Sequence, residues 1–302
     1  MGFFILRNFM KNWKYQLIVP NIAETTVREY LHEYLLIPKH LIFSLRKAQR
    51  VLVNGSYRPM NFPIHTGDRV MLDFIPADFQ TPFPHVIPDA TKPLKVAYEN
   101  EDLLIVNKNR GDKTHANQPG EVGTTLNQAE NYLQPAADAH MVHRLDQQTS
   151  GALIIGKNPA VVPILVRMIK DKTVKRTYLA WVHGRLNQPA GVINDPIGRD
   201  PNDRRKRKIN GAHAQSALTN YRVVQSGTTS TLVSLQLQTG RTHQIRVHLA
   251  SIGHPIINDP LYDPNAQPGH PMLLHSWKIK MLTPFYYQPL AVSAPLPPEF
   301  NM

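Results

Sequence analysis

Between residues 22 and 37 the chain reads "IAETTVREYLHEYLLI", and its apolar positions Val27, Tyr30, Leu31, Tyr34 and Leu35 recur with a helical period. Thr26 followed by Glu29 makes a capping box at the start of that helix, and Pro38 ends it. In "HLIFSLRKAQRVLVNG" a second helical stretch carries Arg46, Lys47 and Arg50 and runs into a short strand, Val51 to Val53. The pairs Asn54-Gly55 and Gly67-Asp68 mark turns around further short strands. The pattern predicts a small unit of helices and strands over residues 14–75.

Residues 76–93, "PADFQTPFPHVIPDATKP", hold five prolines and little periodicity, which predicts an extended, semi-rigid linker. A second unit, residues 94–302, follows. It opens with two short strands in "LKVAYENEDLLIVNKNRG", split by the polar turn Glu99 to Asp102. Strand-like runs recur at 152–156, 177–183, 217–224 and 230–238, and helical stretches lie near 124–133, 159–170 and 241–251. Strands and helices mixed without regular alternation predict an α+β fold rather than a doubly wound sheet.

Charge and composition then narrow the chemistry. The 302 residues carry 34 Lys+Arg against 22 Asp+Glu, a net charge of +12, with a pI near 9.8. A surplus of that size points to a polyanionic partner, nucleic acid before membrane. There is no cysteine, which removes thiolate metal sites and cysteine nucleophiles and fits a reducing compartment. The opening "MGFFILRNFMKNWK" has too short an apolar run for a signal peptide, and no later run spans a bilayer, so a soluble cytoplasmic protein is expected. The 14 histidines do not fall into a metal motif. Phosphate-loop, dinucleotide and nucleophile-elbow motifs do not occur either. What remains is acid, base and nucleophile chemistry by side chains alone.

Four stretches could carry it. "HRLDQQTSGALIIGKNP" is a polar loop running into a buried strand, Ala152 to Ile155. Asp146 there is either the acceptor of a turn closed by Thr149, Ser150 and Gly151, or a reactive carboxylate held by rigid structure. In "KRTYLAWVHG", Arg176, Tyr178, Ala180 and Val182 share one strand face, opposite Thr177, Leu179 and Trp181. Tyr178 is either a half-buried strand aromatic or a platform for an unpaired base. In "LQLQTGRTHQIRVHLASIGHP", Thr242 can cap a helix that stops at Gly253, and Arg241 at its start opposes the helix dipole and calls for an acid. "GRDPNDRRKRKING" collects Arg199, Arg204, Arg205, Lys206, Arg207 and Lys208 in one loop, a solvated surface or a phosphate-binding one.

Taken together, in this order, these stretches resemble the RluA-type pseudouridine synthases, which isomerise uridine in ribosomal or transfer RNA. The resemblance rests on "HRLDQQTSG", "KRTYLAWVHG", "GRTHQIRVHLASIGHPIINDPLY" and "LLHSWKIKM", and on "DLLIVNKNRG", with Asn109 where the family has proline. It covers residues 94–300. Residues 14–75 are similar to the S-four type RNA-binding domain, through "LRKAQRVLVNG" and "HTGDRVMLDF".

The resemblance implies a mixed, mainly antiparallel sheet with a central RNA-binding cleft. It makes Asp146 the nucleophile or general base, Arg241 its partner and Tyr178 the residue that stacks on the target base. It implies RNA contacts from Arg144 and the basic residues named above. The implied partner is ribosomal or transfer RNA, and no metal, nucleotide or redox cofactor is implied; a monomer is the default. A catalytically inactive RNA-binding protein of the same fold is the alternative.

Overall fold

The computed structural model describes residues 12–79 and 86–301. Its first unit comprises β1 (Trp13–Ile18), β2 (Thr25–Thr26), α1 (Val27–Glu29), α2 (Lys39–Lys47), β3 (Val51–Val53), β4 (Ser56–Tyr57), β5 (Pro63–Ile64) and β6 (Arg69–Phe74). β1, β6, β3 and β4 form an antiparallel sheet in that order. The capping box forms: the Thr26 hydroxyl accepts the Glu29 N–H, and the Glu29 carboxylate accepts the Thr26 N–H. The helix it opens ends short of the expected stop at Pro38. It widens into a π turn over Tyr30–Tyr34 and ends where Leu36 turns left-handed, so Pro38 caps α2 instead of stopping the first helix.

The second unit begins with β7 (Val96–Glu99), β8 (Leu103–Lys108), α3 (Thr125–Leu133), β9 (His140–Met141), β10 (Ser150–Gly156), α4 (Val161–Lys170) and β11 (Lys175–His183). β12 (Ala190–Ile193), β13 (Ile197–Arg199), β14 (Arg207–Ile209), β15 (Ala212–Gln215), β16 (Thr219–Ser226) and β17 (Ser230–Leu237) follow. It closes with α5 (Gln244–Ser251), β18 (Leu274–Leu282) and β19 (Pro289–Ser293). The main sheet runs β12-β16-β17-β11-β18-β10-β8-β7, with β19 on β18 and β9 on β10. Among the described strands only β10 and β18 pair in parallel. This is the α+β, mainly antiparallel architecture expected. The basic stretch 199–208 is not one loop, however. It contributes β13 and β14 to a separate three-stranded sheet, β14-β13-β15.

β8 and β10 divide the interior. Alternate strand residues point to opposite faces, so Leu103, Ile105, Ala152 and Ile154 join one core with α4 and the first unit. Leu104, Val106, Leu153 and Ile155 join the other, with α3, α5 and the inner face of β11. The first core continues into the small N-terminal unit. There the Tyr15 hydroxyl donates to the Asp102 carboxylate at 2.6 Å, and its ring stacks on Phe285 at 3.7 Å. The proline-rich stretch is fastened at both described ends, by Asp78 to Arg50 and by the backbone of Ile87 and Asp89 to Asn127.

Where β10 meets β18, Gly151 takes a φ of 108° and brings its Cα so close that an added Cβ would lie 2.2 Å from the Ser276 carbonyl oxygen. Only glycine meets both conditions. Gly151→Ala is therefore expected to cost at least about 2 kcal/mol in chemical denaturation. A loss below about 0.5 kcal/mol would show that the strands do not approach so closely.

Candidate active site

The loop between β9 and β10 is clamped by the segment that follows β8. The Thr114 hydroxyl donates to the Leu145 carbonyl at 2.8 Å and accepts the Leu145 N–H at 3.1 Å. Lys108, 1% exposed, spends its ammonium donors on the carbonyls of Asp112, Asn109 and Gln147. Gly111 N–H also donates to the Gln147 carbonyl. Burial pushes the Lys108 pKa down to about 8, against the pull of Asp112 and Asp146. Asn109, at the family's proline position, keeps this turn through its carbonyl and through its amide bond to Asp112.

The turn at Asp146 is real, but its carboxylate takes no part in closing it. Thr149 N–H bonds the Asp146 backbone carbonyl at 3.0 Å. The side chain, 18% exposed, is held instead by Arg246, whose Nη1 donates to Oδ2 at 3.2 Å. His243 Nε2 faces the same oxygen at 3.9 Å. Turn and site are thus compatible: the backbone makes the turn and the carboxylate is left available.

Arg246 is the partner that sequence reasoning assigned to Arg241. Arg241 precedes α5, and its Nε donates to the Ser216 carbonyl at 3.0 Å. Arg246, inside α5 and 4% exposed, points into the protein, where Asp259 grips it with two bonds of 2.7 Å. Burial opposes its charge, but Asp259 and Asp146 outweigh that and hold the guanidinium pKa above its ordinary value. The cap also differs from expectation. His243, in left-handed geometry (φ 57°), precedes the helix in place of Thr242. The C-terminal end is as read, with Gly253 N–H bonding Ala250 O and His254 N–H bonding Leu249 O.

Tyr178 lies 4% exposed on the face of β11 that carries Ala180 and Val182, in the core that also holds Leu145 and Ile245. Leu179 and Trp181 fall in a different core, as the strand alternation predicted. Arg144, beside Asp146, is exposed. Of the N-terminal cations, Arg46 and Lys47 are exposed on α2, with the Arg46 guanidinium over the Phe43 ring. Arg50 is not available: it lies beyond α2 and is committed to Asp78 by paired bonds of 2.7 Å. Arg199 and Arg207 face each other across the β13–β14 ladder, and Arg204, Arg205 and Lys206 lie in the turn between the strands, with Lys208 on β14. Arg205 is paired with Asp203.

Sequence reasoning missed Lys108, Thr114, His243, Arg246 and Asp259. The signal for Arg246 was present, five residues beyond Arg241 in the same stretch. Helical spacing alone did not say which arginine turned inward.

The profile of the RNA pseudouridylate synthase family matches residues 102–251, which include Asp146, Tyr178 and Arg246. A profile of the RluD ribosomal pseudouridine synthase N-terminal domain matches residues 15–70. An uncharacterized RNA pseudouridine synthase of Bacillus subtilis, YhcT, is 36% identical over 268 residues, 87% of each protein. The chain belongs to the RNA pseudouridine synthase family. Ribosomal large subunit pseudouridine synthase D of Nitrosomonas europaea is 40% identical over 219 residues, 68% of this chain and 63% of that protein. The solved structure of human RNA Pseudouridylate Synthase Domain Containing 1 superimposes with a TM-score of 0.58 at 28% identity, covering 70% of this chain and 86% of that one. As a pseudouridine synthase the protein is an RNA uridine isomerase.

Three neutral histidines adjoin the synthase's site: His143 in the Asp146 loop, His243 facing Asp146, and His275, whose Nδ1 lies 2.9 Å from the Ser150 hydroxyl. His143 Nε2 accepts the N–H of Ile154 in β10, and burial pushes its pKa down to about 3. Burial likewise holds His243 and His275 near about 4. Each folded value lies below the unfolded value of about 6.5, so the unfolded chain binds the protons first. This contribution to stability is complete above about pH 6.5 and is lost as the pH falls toward 4. Calorimetric melting temperatures should hold steady from about pH 8 to 6.5 and drop below that. A flat profile down to about pH 4.5 would contradict the neutral, buried assignment.

Proposed function

We propose that this synthase converts uridine to pseudouridine in structured RNA, ribosomal RNA before transfer RNA, with Asp146 as the reacting carboxylate and no metal or cofactor. The observation that carries the reading is the separation of backbone and side chain at Asp146. The backbone closes the turn, while Arg246 and His243 both address Oδ2. Oδ1 is then the oxygen for the uridine.

The chemistry needs little more. The C1′–N1 bond breaks, the uracil turns, and C1′ rejoins at C5; C5 loses a proton and N1 gains one. There is no net oxidation or reduction and no phosphoryl transfer. Asp146 either attacks C1′ or the C6 atom of the ring, or removes a ribose proton; every route begins from the carboxylate form of the acid. Arg246 fixes its direction inside a partly closed site. The uridine must leave its stack, at a cost of a few kcal/mol that is smaller in loops. Tyr178, in the core that also holds Leu145, is the residue that stacks on the extruded base.

Ribosomal RNA is favoured by the similarity to ribosomal large subunit pseudouridine synthase D of Nitrosomonas europaea and by the N-terminal match. Arg46 and Lys47 of that unit, Arg144 beside the site, and the exposed cations of the β13–β15 arm supply phosphate contacts. The like-charged Arg199–Arg207 pair across one ladder favours an anion between them.

Asp146→Asn is expected to abolish tritium release from RNA labelled at uridine C5 while RNA affinity stays within about threefold. Pseudouridine mapping of ribosomal and transfer RNA from cells carrying the variant names the lost position. Persistent activity in Asp146→Asn would end the assignment, and wild-type protein that binds RNA without modifying it would favour the inactive RNA-binding reading.

A further inference from the structure

Tyr262 ends the stretch that opens at Gly240 and has no role assigned above, yet it touches both the basic arm and the reactive carboxylate's partners. Its ring packs with Ile197 and Ile209 of the arm and with Val247 of α5. The Arg246 guanidinium sits 5.2 Å from the ring centroid. Its hydroxyl accepts the backbone N–H of Arg207 at 2.7 Å and lies 2.9 Å from His243 Nδ1. Its own N–H donates to Asp259, the carboxylate that grips Arg246. Asp146, Arg246, Asp259, Tyr262 and His243 thus close a ring of contacts, and the arm joins that ring at the tyrosine hydroxyl.

We propose that Tyr262 is a positioning residue that couples the basic β13–β15 arm to Asp146 through the tautomer and orientation of His243. The inference rests on the proposed role of Asp146. A tyrosine hydroxyl has one proton. Arg207 N–H occupies an acceptor site on the oxygen, so the proton is directed to His243 Nδ1. The imidazole proton is then on Nε2, the nitrogen that faces Asp146 Oδ2 at 3.9 Å. His243 is neutral at physiological pH because burial disfavours its charge, so the tautomer decides whether Asp146 meets a donor or a lone pair. The left-handed backbone of His243, unusual for a residue with a side chain, is held by the same hydroxyl bond and by the edge-on packing of the two rings at 5.7 Å.

The coupling gives the arm a second task. An RNA phosphate that draws Arg199 and Arg207 together sets β14, whose first N–H holds Tyr262. The hydroxyl then sets His243, and with it the donor beside the carboxylate. Substrate engagement far from the uridine is thereby read at the reacting oxygen.

Tyr262→Phe keeps the ring beside Arg246 and removes only the hydroxyl. At saturating RNA its single-turnover rate is expected to fall about tenfold, with the RNA dissociation constant within about threefold of wild type. In a His243→Ala background the same substitution should cost nothing further, since the pathway is already cut. A wild-type rate for Tyr262→Phe, or a loss that adds fully in the His243→Ala background, overturns the proposal. If Tyr262→Phe does not fold, imidazole nitrogen shifts of histidine-labelled wild-type enzyme decide. Nε2–H at His243 supports the coupling and Nδ1–H refutes it. Activity surviving in Asp146→Asn would remove the underlying reading instead, so the two failures are distinguishable.

Discussion

A guanidinium buried between two carboxylates is the constraint around which the rest of the synthase is arranged. Arg246 is 4% exposed and Asp259 is fully buried. Removing two such charges from water costs several kcal/mol each, and only paired, well-aligned bonds offset that. The two 2.7 Å bonds between them supply the alignment. One edge of the guanidinium remains, and Asp146 takes it at 3.2 Å. Removing the arginine would leave the Asp259 charge buried without a counter-ion, a loss of about 3–5 kcal/mol. α5, the loop that follows it and the Asp146 turn are therefore joined at the point where the chemistry is proposed.

The sheet supplies the second half of that arrangement. β8 and β10, apolar on both faces, carry the polar segments at their ends into fixed positions. Lys108 at the end of β8 and Gly151 at the start of β10 lie directly opposite in the ladder. The ammonium holds the Gln147 carbonyl, and the glycine lets β18 close in parallel. Asp146 sits between these two anchors with its backbone carbonyl engaged by Thr149 N–H and its carboxylate directed to Arg246. Rigid elements on both sides of a short loop hold a reactive group more closely than the loop alone could.

Most of the secondary structure was readable because the strands and helices of the second unit follow hydrophobic periodicity closely, as β10, β11, β17, α3 and α4 show. The capping box at Thr26 and Glu29 formed for the reason its spacing implied. The errors occurred where tertiary contacts override local pattern. The stretch 199–208 reads as a charged loop because β13 and β14 have few apolar residues, and their pairing depends on Tyr262 and α5. Arg50 looks like part of a basic helix face, and only the fold shows Asp78 beside it. Arg241 and Arg246 are equally plausible partners in one dimension. The choice was made by the orientation of α5 and by Asp259, thirteen residues beyond Arg246. Asp146 itself was ambiguous from local physics, since a turn and a site use the same residues. The bond from Thr149 shows that the backbone carbonyl, not the carboxylate, closes the turn.

The identity of the arginine that holds Asp146 is the most direct point at which this account can fail. Single-turnover pseudouridine formation at saturating RNA should be compared for Arg246→Lys and Arg241→Gln. Lysine keeps a positive charge beside Asp259 but loses the planar fork that serves two carboxylates at once. Misplacing the reacting oxygen by about 1 Å costs on the order of a hundredfold. The account predicts a loss of that size for Arg246→Lys and a rate within about threefold of wild type for Arg241→Gln. A folded Arg246→Lys enzyme at full rate, with the loss appearing in Arg241→Gln, would contradict it.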